Sequence, residues 1–416
     1  MIERRQLDCG INVVMEKIPH VRSVSMGIWV KAGATDETAK NSGISHFIEH
    51  MMFKGTEKRS AKKIAEDVDE IGAQINAFTG KEATCYYIKT LEENIDRSLD
   101  VLTDMFLCSC FDKGEMKKEK SVIYEEIKMI RDTPDDDVHD MICEQVFKDH
   151  PLGRSVIGTP SSVRGISRHM IKEYIENEYT RDSIVISVSG SFDSDMICEK
   201  IQGIMEPLKK SKKKKTYPRH RYIPYFRVKQ KDIQQAHICL GTRSISLTDD
   251  RYYAFSCLNN IFGGSMSSRL FQKIREEKGL AYSVYSMNSS FSGDGYFNIY
   301  AGVATDKIYD TICAIKQEIE TISKKGVLEE ELKKAKEQLK SAYIFGQENV
   351  NGRMISMGRN LTLIGRVYEP KEVLDGIDAV TADDIKKVSK IISDPKRYSA
   401  AAIANKRVSL KKMVQA

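Results

Sequence analysis

A chain of 416 residues with one tryptophan, nine prolines and eight histidines leaves few residues of the kinds that mark special structure. No apolar run approaches the roughly 18 to 20 residues of a membrane-spanning helix. The N-terminal Met1-Ile2-Glu3-Arg4-Arg5 leads into no apolar core of the kind a secretory signal carries. Both absences point to a cytoplasmic protein without membrane contact. Nine cysteines, at 9, 85, 108, 110, 143, 198, 239, 257 and 313, include no C-x-x-C pair. That spacing argues for free thiols and against a disulfide framework or a cysteine-based zinc knuckle. Long like-charge blocks are rare too. The exception, Lys209-Lys210-Ser211-Lys212-Lys213-Lys214-Lys215, carries much of the net charge of +6 and runs into Thr216-Tyr217-Pro218. It reads as a solvated linker, and no nucleic-acid partner is expected.

What is present is the profile of a globular protein, 41% hydrophobic and 30% charged, long enough for about two or three domains. Strand patterns at 11–15, 23–30, 72–80, 84–89 and 183–190 alternate with helical ones at 60–71, 94–106 and 113–131. After the lysine run a similar order returns. Strands are expected at 236–241, 281–285 and 295–300, and helices at 252–262, 306–324 and 328–345. The expectation is a duplication with a period near 200 residues: a domain at 1–208, a linker at 209–220 and a second domain at 221–416. The fold class is α+β, each domain a mostly antiparallel sheet packed against helices.

The chemistry concentrates in Gly43-Ile44-Ser45-His46-Phe47-Ile48-Glu49-His50-Met51-Met52-Phe53. On a helix capped by Ser42 or Asn41, residues three and four apart share a face, so His46, Glu49 and His50 point the same way. Two imidazoles are half of a zinc site, and a carboxylate between them suits a base. The H-x-x-E-H order is the inverzincin signature. The second half has no histidine at 254–259, where a copy of the motif would fall. A third ligand must come from elsewhere, and the helix at 113–131 offers Glu115, Glu119, Glu125 and Glu126. Glu119 and Glu126, two turns apart, share a stripe with Val122 and Met129 that is expected to face inward. The pattern alone leaves the choice among the four glutamates open.

His46-Phe47-Ile48-Glu49-His50-Met51-Met52-Phe53-Lys54-Gly55-Thr56, Asn76-Ala77-Phe78-Thr79 and Val122-Ile123-Tyr124-Glu125-Glu126-Ile127 together resemble the insulinase and pitrilysin superfamily of zinc peptidases. The likeness covers essentially the whole chain and is strongest to the short-chain branch, the mitochondrial processing peptidase β subunit and bacterial processing peptidases. It implies a zinc metalloendopeptidase acting on short or unstructured peptides, with one Zn2+ per chain held by His46, His50 and Glu126. It implies Glu49 as general base, Glu119 as the carboxylate that orients a ligating histidine, and Asn76 and Ala77 as an edge strand for substrate. Arg275-Glu276-Glu277-Lys278-Gly279-Leu280-Ala281-Tyr282 resembles the family's paired Arg and Tyr, seven residues apart. By that likeness Arg275 and Tyr282 act in trans, in a homodimer that closes a chamber around the peptide. A catalytically silent, peptide-binding chamber subunit is the competing expectation.

Overall fold

A computed structural model describes residues 2–211 and 220–415. Of the stretch read as a linker, residues 212–219, with Lys212 to Lys215 among them, lie outside the described residues. Six strands, β1 (Ile2–Gln6), β2 (Asn12–Lys17), β3 (Ser23–Val30), β4 (Gln74–Thr79), β5 (Thr84–Leu91) and β6 (Ile184–Gly190), form one sheet in the order β1-β2-β6-β3-β5-β4. Five more, β7 (Phe226–Gln230), β8 (Gln235–Arg243), β9 (Ala281–Ser290), β10 (Gly295–Ala304) and β11 (Ser399–Ala404), form a second in the order β7-β11-β8-β10-β9.

The duplication is visible in the pairing. In the first sheet β2 lies parallel to β6, and the neighbours β6, β3, β5 and β4 then pair antiparallel. In the second, β7 lies parallel to β11, and β11, β8, β10 and β9 pair antiparallel. The expected mixed fold of two homologous, mostly antiparallel sheets with helices is what forms. β1, an extra edge strand on the first sheet, has no counterpart in the second among the described residues.

Two compact units result, and they exchange segments of chain. The first comprises the described residues within Met1–Ile127, Arg154–Tyr217 and Ile344–Glu369; the second, those within Lys128–Gly153, Pro218–Tyr343 and Pro370–Ala416. In the first unit the helix Val350–Ile364 packs on β2, β3 and β6. In the second, the helix Pro134–Val146 packs on β8, β10 and β11. This accounts for the burial of both faces of the central strands: β6 and β11 are buried along their whole lengths, and so read as continuous apolar and small-residue runs rather than alternating ones. The nine cysteines are all free, most of them buried. Among the described residues no helix is long and apolar enough to cross a membrane.

Candidate metal centre

The site grows from three elements: α1 (Ile44–Met52), β4 and, after α2 (Ala61–Glu70) and α3 (Ile95–Cys108), the long helix α4 (Lys113–Asp132), which belongs to the first unit as far as Ile127. In α1, Ile44, Phe47, Ile48, Met51 and Met52 recur at the spacing of one helical stripe and are buried in the core. That stripe fixes the rotation of the helix and turns His46, Glu49 and His50 to its other side. The helix does not start as expected. Its N-cap is Gly43, at φ +88°, where a Cβ would stand 2.7 Å from the Ile157 carbonyl oxygen. Asn41 is engaged elsewhere, its Oδ1 accepting from the Thr38 backbone N–H at 2.6 Å. The cap comes from Glu37, whose buried carboxylate accepts the Gly43 N–H at 2.7 Å and the Ser45 N–H at 3.0 Å. Burial, against those hydrogen bonds, pushes the Glu37 carboxyl up to about 7.

On α4 the buried stripe is Met116, Glu119, Ile123 and Ile127. The expectation that Val122 and Met129 face inward with the glutamates is therefore corrected: they are 50% and 62% exposed, and Glu126 is half-buried on the same open face. The core takes the stripe of Met116, Ile123 and Ile127, one position further round the helix.

His46, His50 and Glu126 bring one ligand atom each within 4.8 Å of one another, the one such cluster of three His, Cys, Asp or Glu residues among the described residues. The two Nε2 atoms are 3.3 Å apart. His46 Nε2 lies 3.7 Å from Glu126 Oε1, and His50 Nε2 lies 3.8 Å from Glu126 Oε2. Ligand atoms about 2.0 to 2.2 Å from a tetrahedral zinc ion stand about 3.3 to 3.6 Å apart, so the donor set and its spacing fit that ion. Burial, then the neighbouring His50, lowers the His46 imidazole to about 4, which keeps it neutral and its lone pair available at neutral pH. His50 is held from behind. Its Nδ1 meets Glu119 Oε2 at 3.0 Å, and Glu119, only 4% exposed, meets Lys54 Nζ at 2.6 Å through its other oxygen. An Nδ1–H donated to Glu119 leaves Nε2 for a metal.

Glu49 lies on the same side of α1. Burial raises its carboxyl above the ordinary value despite the hydrogen bond at 2.5 Å that the Thr79 hydroxyl donates. A carboxylate brought toward neutrality suits proton transfer. Thr79 ends β4, the edge of the sheet. Asn76 and Ala77 lie on that edge, paired with β5 on one side only; the Ala77 N–H is taken up locally by Asn76 Oδ1 at 2.8 Å. Arg275 and Tyr282 are not part of this unit. In the second, Arg275 sits in a wide helical turn, Phe271–Glu277, with its guanidinium 4.7 Å from the Phe271 ring centre. Tyr282, 63% exposed, stands on β9, the edge of its own sheet. Sequence reasoning missed Glu37 and gave Lys54 and Thr79 no role of their own. The signal for Lys54 was present in its place four residues after His50, just past the end of α1.

The chain has clear relatives among known proteins. Residues 12–160 match the insulinase (peptidase family M16) domain, and residues 165–339 match the peptidase M16 inactive domain. The chain is 40% identical over 390 residues to the uncharacterized zinc protease YmxG of Bacillus subtilis, covering 94% of this chain and 95% of that one. It is 39% identical over 392 residues to an uncharacterized zinc protease of Rickettsia felis, covering 93% and 94%. A solved structure titled as the peptidase M16 inactive domain from Pseudomonas fluorescens has the same fold, with a TM-score of 0.90 at 16% identity, covering 98% of this chain and 99% of that one. By sequence across nearly its whole length, the chain belongs to the insulinase family of peptidases, family M16.

Proposed function

We propose that the chain is a zinc metalloendopeptidase that hydrolyses short or unstructured peptides, with one ion per chain held by His46, His50 and Glu126. The observation that carries this reading is the convergence of those three ligand atoms on one point, next to a carboxylate with no ligand role. When bound, zinc supplies a Lewis acid that polarises the scissile carbonyl and acidifies water. Glu49 takes the proton of the attacking water and returns it to the leaving amine, base first and acid afterwards. Thr79 holds the Glu49 carboxylate in place. Glu119, with Lys54 behind it, keeps the proton of His50 on Nδ1. The edge of β4 at Asn76 and Ala77 takes an extended substrate by strand addition, once the Ala77 N–H is released from the Asn76 side chain.

In this reading two chains close a chamber, and Tyr282 and Arg275 of the second unit serve the centre of the other chain. The tyrosine hydroxyl stabilises the developing oxyanion, and the arginine orients the substrate backbone. Support is their family likeness and the exposure of Tyr282.

The test is incubation with unstructured peptides, with and without chelator, read by mass spectrometry. Chelator-sensitive cleavage that disappears in a Glu49→Gln chain with its zinc intact is the expected result. Peptide binding without any cleavage would instead favour a silent chamber subunit. Mixing Glu49→Gln and Tyr282→Phe chains should restore part of the activity, and mixed dimers that stay inactive count against action in trans.

A further inference from the structure

Thr79 holds the Glu49 carboxylate twice, through its hydroxyl at 2.5 Å and through its backbone N–H. It is the last paired residue of β4, opposite Thr84, and the chain turns back at once, with the Gly80 N–H on the Ala83 carbonyl at 2.8 Å. As β4 is an edge strand, pairing with β5 alone leaves this end of the ladder weakly held. The turn is tied down instead by two distant stretches of chain, all within the first unit. The Lys81 carbonyl accepts from the Thr35 N–H at 2.8 Å and from the Thr35 hydroxyl at 2.9 Å. The two backbones lie so close that a Cβ on Gly33 would stand 2.5 Å from the Gly80 carbonyl oxygen. On the other side the Lys81 ammonium donates to the Arg154 carbonyl, and the Arg154 guanidinium donates to the Glu37 carbonyl. Glu37 is the residue whose carboxylate caps α1. Arg154 thus joins the turn that carries Thr79 to the cap of the helix that carries His46, Glu49 and His50.

We propose that Lys81 and Arg154 are positioning residues for the general base, a brace that acts through Thr79 and the cap of α1 to set where Thr79 meets Glu49. This rests on the metallopeptidase reading and extends the machinery of that site beyond its ligands. Hydrogen bonds from an ammonium or a guanidinium are charge-assisted and stronger than neutral ones, which suits a tie between segments so far apart in the chain. The precision matters, because a misplacement of about 1 Å at a reacting group can cost about 100-fold in rate. The substrate edge depends less on the brace, since Asn76 and Ala77 lie inside the ladder, opposite Tyr87 and Tyr86. A loosened turn therefore lowers kcat and leaves KM nearly unchanged.

The experiment measures kcat and KM of the zinc-loaded Lys81→Met and Arg154→Gln chains on an unstructured peptide that the wild type cleaves. Lys81→Met keeps an apolar stem and loses only the donor. In each variant kcat is expected to fall about 10-fold at nearly constant KM, short of the roughly 100-fold that full misplacement costs. Zinc content, read by metal analysis, stays at the wild-type level. In a Thr79→Val background Lys81→Met should cost clearly less, because the hydroxyl half of the contact is already gone and residues of one network do not add. A second readout needs no turnover: amide exchange at Thr79 should quicken in Lys81→Met, while β5, paired on both sides, keeps its wild-type rates. A wild-type kcat in both variants, a loss that falls on KM, full additivity with Thr79→Val or a loss of zinc overturns the brace and leaves the peptidase intact. If the wild type cleaves no peptide, the metallopeptidase reading falls, and the exchange of Thr79 still decides: an unchanged rate in Lys81→Met overturns the brace as well.

Discussion

The two units follow the same path through their sheets, yet among the described residues only the first gathers three metal-competent ligand atoms around one point. In α1 one stripe is given to the core, and the opposite side carries His46, Glu49 and His50. In the corresponding helix of the second unit, Tyr252–Gly263, the buried positions are Ala254, Phe255, Cys257, Leu258, Ile261, Phe262 and Gly263. The second unit does bury histidines, but each has its own partner. His220 Nδ1 meets Asp294 at 3.2 Å, and Asp294 also takes Arg243 at 2.8 Å. His139 Nε2 meets the Tyr285 hydroxyl at 2.9 Å. A buried polar atom is costly until something satisfies it. His220 and His139 are satisfied within the second unit, whereas the first leaves two imidazole nitrogens and a carboxylate facing a common point. The difference between a structural domain and a metal centre is thus a difference in partners, on the same chain path.

The largest effect expected follows directly. A metal that binds only the native first unit should stabilise it by about 4 kcal/mol when present at a thousand times its Kd. Amide exchange should slow in α1 and α4 on adding zinc, and stay unchanged in β8 and β10. Glu126→Ala should abolish the protection and lower zinc affinity more than 100-fold, the upper end of what loss of a mere supporting residue costs. Protection that spreads equally over both sheets would break the comparison.

The next effect is set by pH. Glu37 is raised in the folded chain from its ordinary 4.5 to about 7 by burial. The folded state therefore holds this proton more tightly than the unfolded one. Its contribution to stability is greatest below about pH 4.5 and is lost as pH rises to about 7, an overall drop on the order of 3 kcal/mol. Glu37→Gln keeps one acceptor for the start of α1 and cannot ionise, so its stability relative to wild type should rise across that window. Urea unfolding at several pH values reads this directly, and parallel curves for the two proteins would remove Glu37 from the account.

Smaller still is the support behind the ligands. Glu119→Gln should weaken zinc binding about 10- to 100-fold, and Lys54→Met should act in the same direction, both read by competition with a chelator. Equal zinc affinity in all three proteins would reduce the His50, Glu119 and Lys54 chain to surface decoration.

Much of this was legible before any coordinates. The H-x-x-E-H spacing and the strand patterns at 23–30 and 84–89 depend on local periodicity, and they reappear as α1, β3 and β5. The choice of Glu126 did not come from periodicity, which left four glutamates open, but from likeness to a family. Three things stayed hidden for physical reasons. The inward stripe of α4 lies one position from the expected one, because apolar residues stand on both sides of the glutamates, Val122 and Met129 on one and Met116, Ile123 and Ile127 on the other, and periodicity does not say which the core takes. The cap on α1 comes from Glu37, six residues before Gly43 and through a side chain, where local rules search only the adjacent positions. The exchange of helices between the units is a contact between distant parts of the chain, and no local pattern encodes it.

That exchange supplies the closest test of the comparison. Each unit admits its borrowed helix through a glycine. On Val350–Ile364 a Cβ at Gly358 would lie 2.0 Å from Trp29 Nε1, and on β8 a Cβ at Gly241 would lie 2.7 Å from Ile142 Cγ1 and 2.8 Å from Val146 Cγ2. The two clashes are not equivalent. Trp29 is rigid, fully buried and donates its indole N–H to Ser187 Oγ at 3.0 Å, so displacing it also breaks a buried hydrogen bond. Ile142 and Val146 can yield by changing rotamer. Gly358→Ala should therefore cost about 3 kcal/mol and Gly241→Ala about 1 kcal/mol, the two ends of the range for overpacking. Chemical denaturation of the two variants measures the order. A larger loss in Gly241→Ala would mean that the borrowed helix of the second unit, which carries only aliphatic contacts at this point, is the more rigidly held of the two.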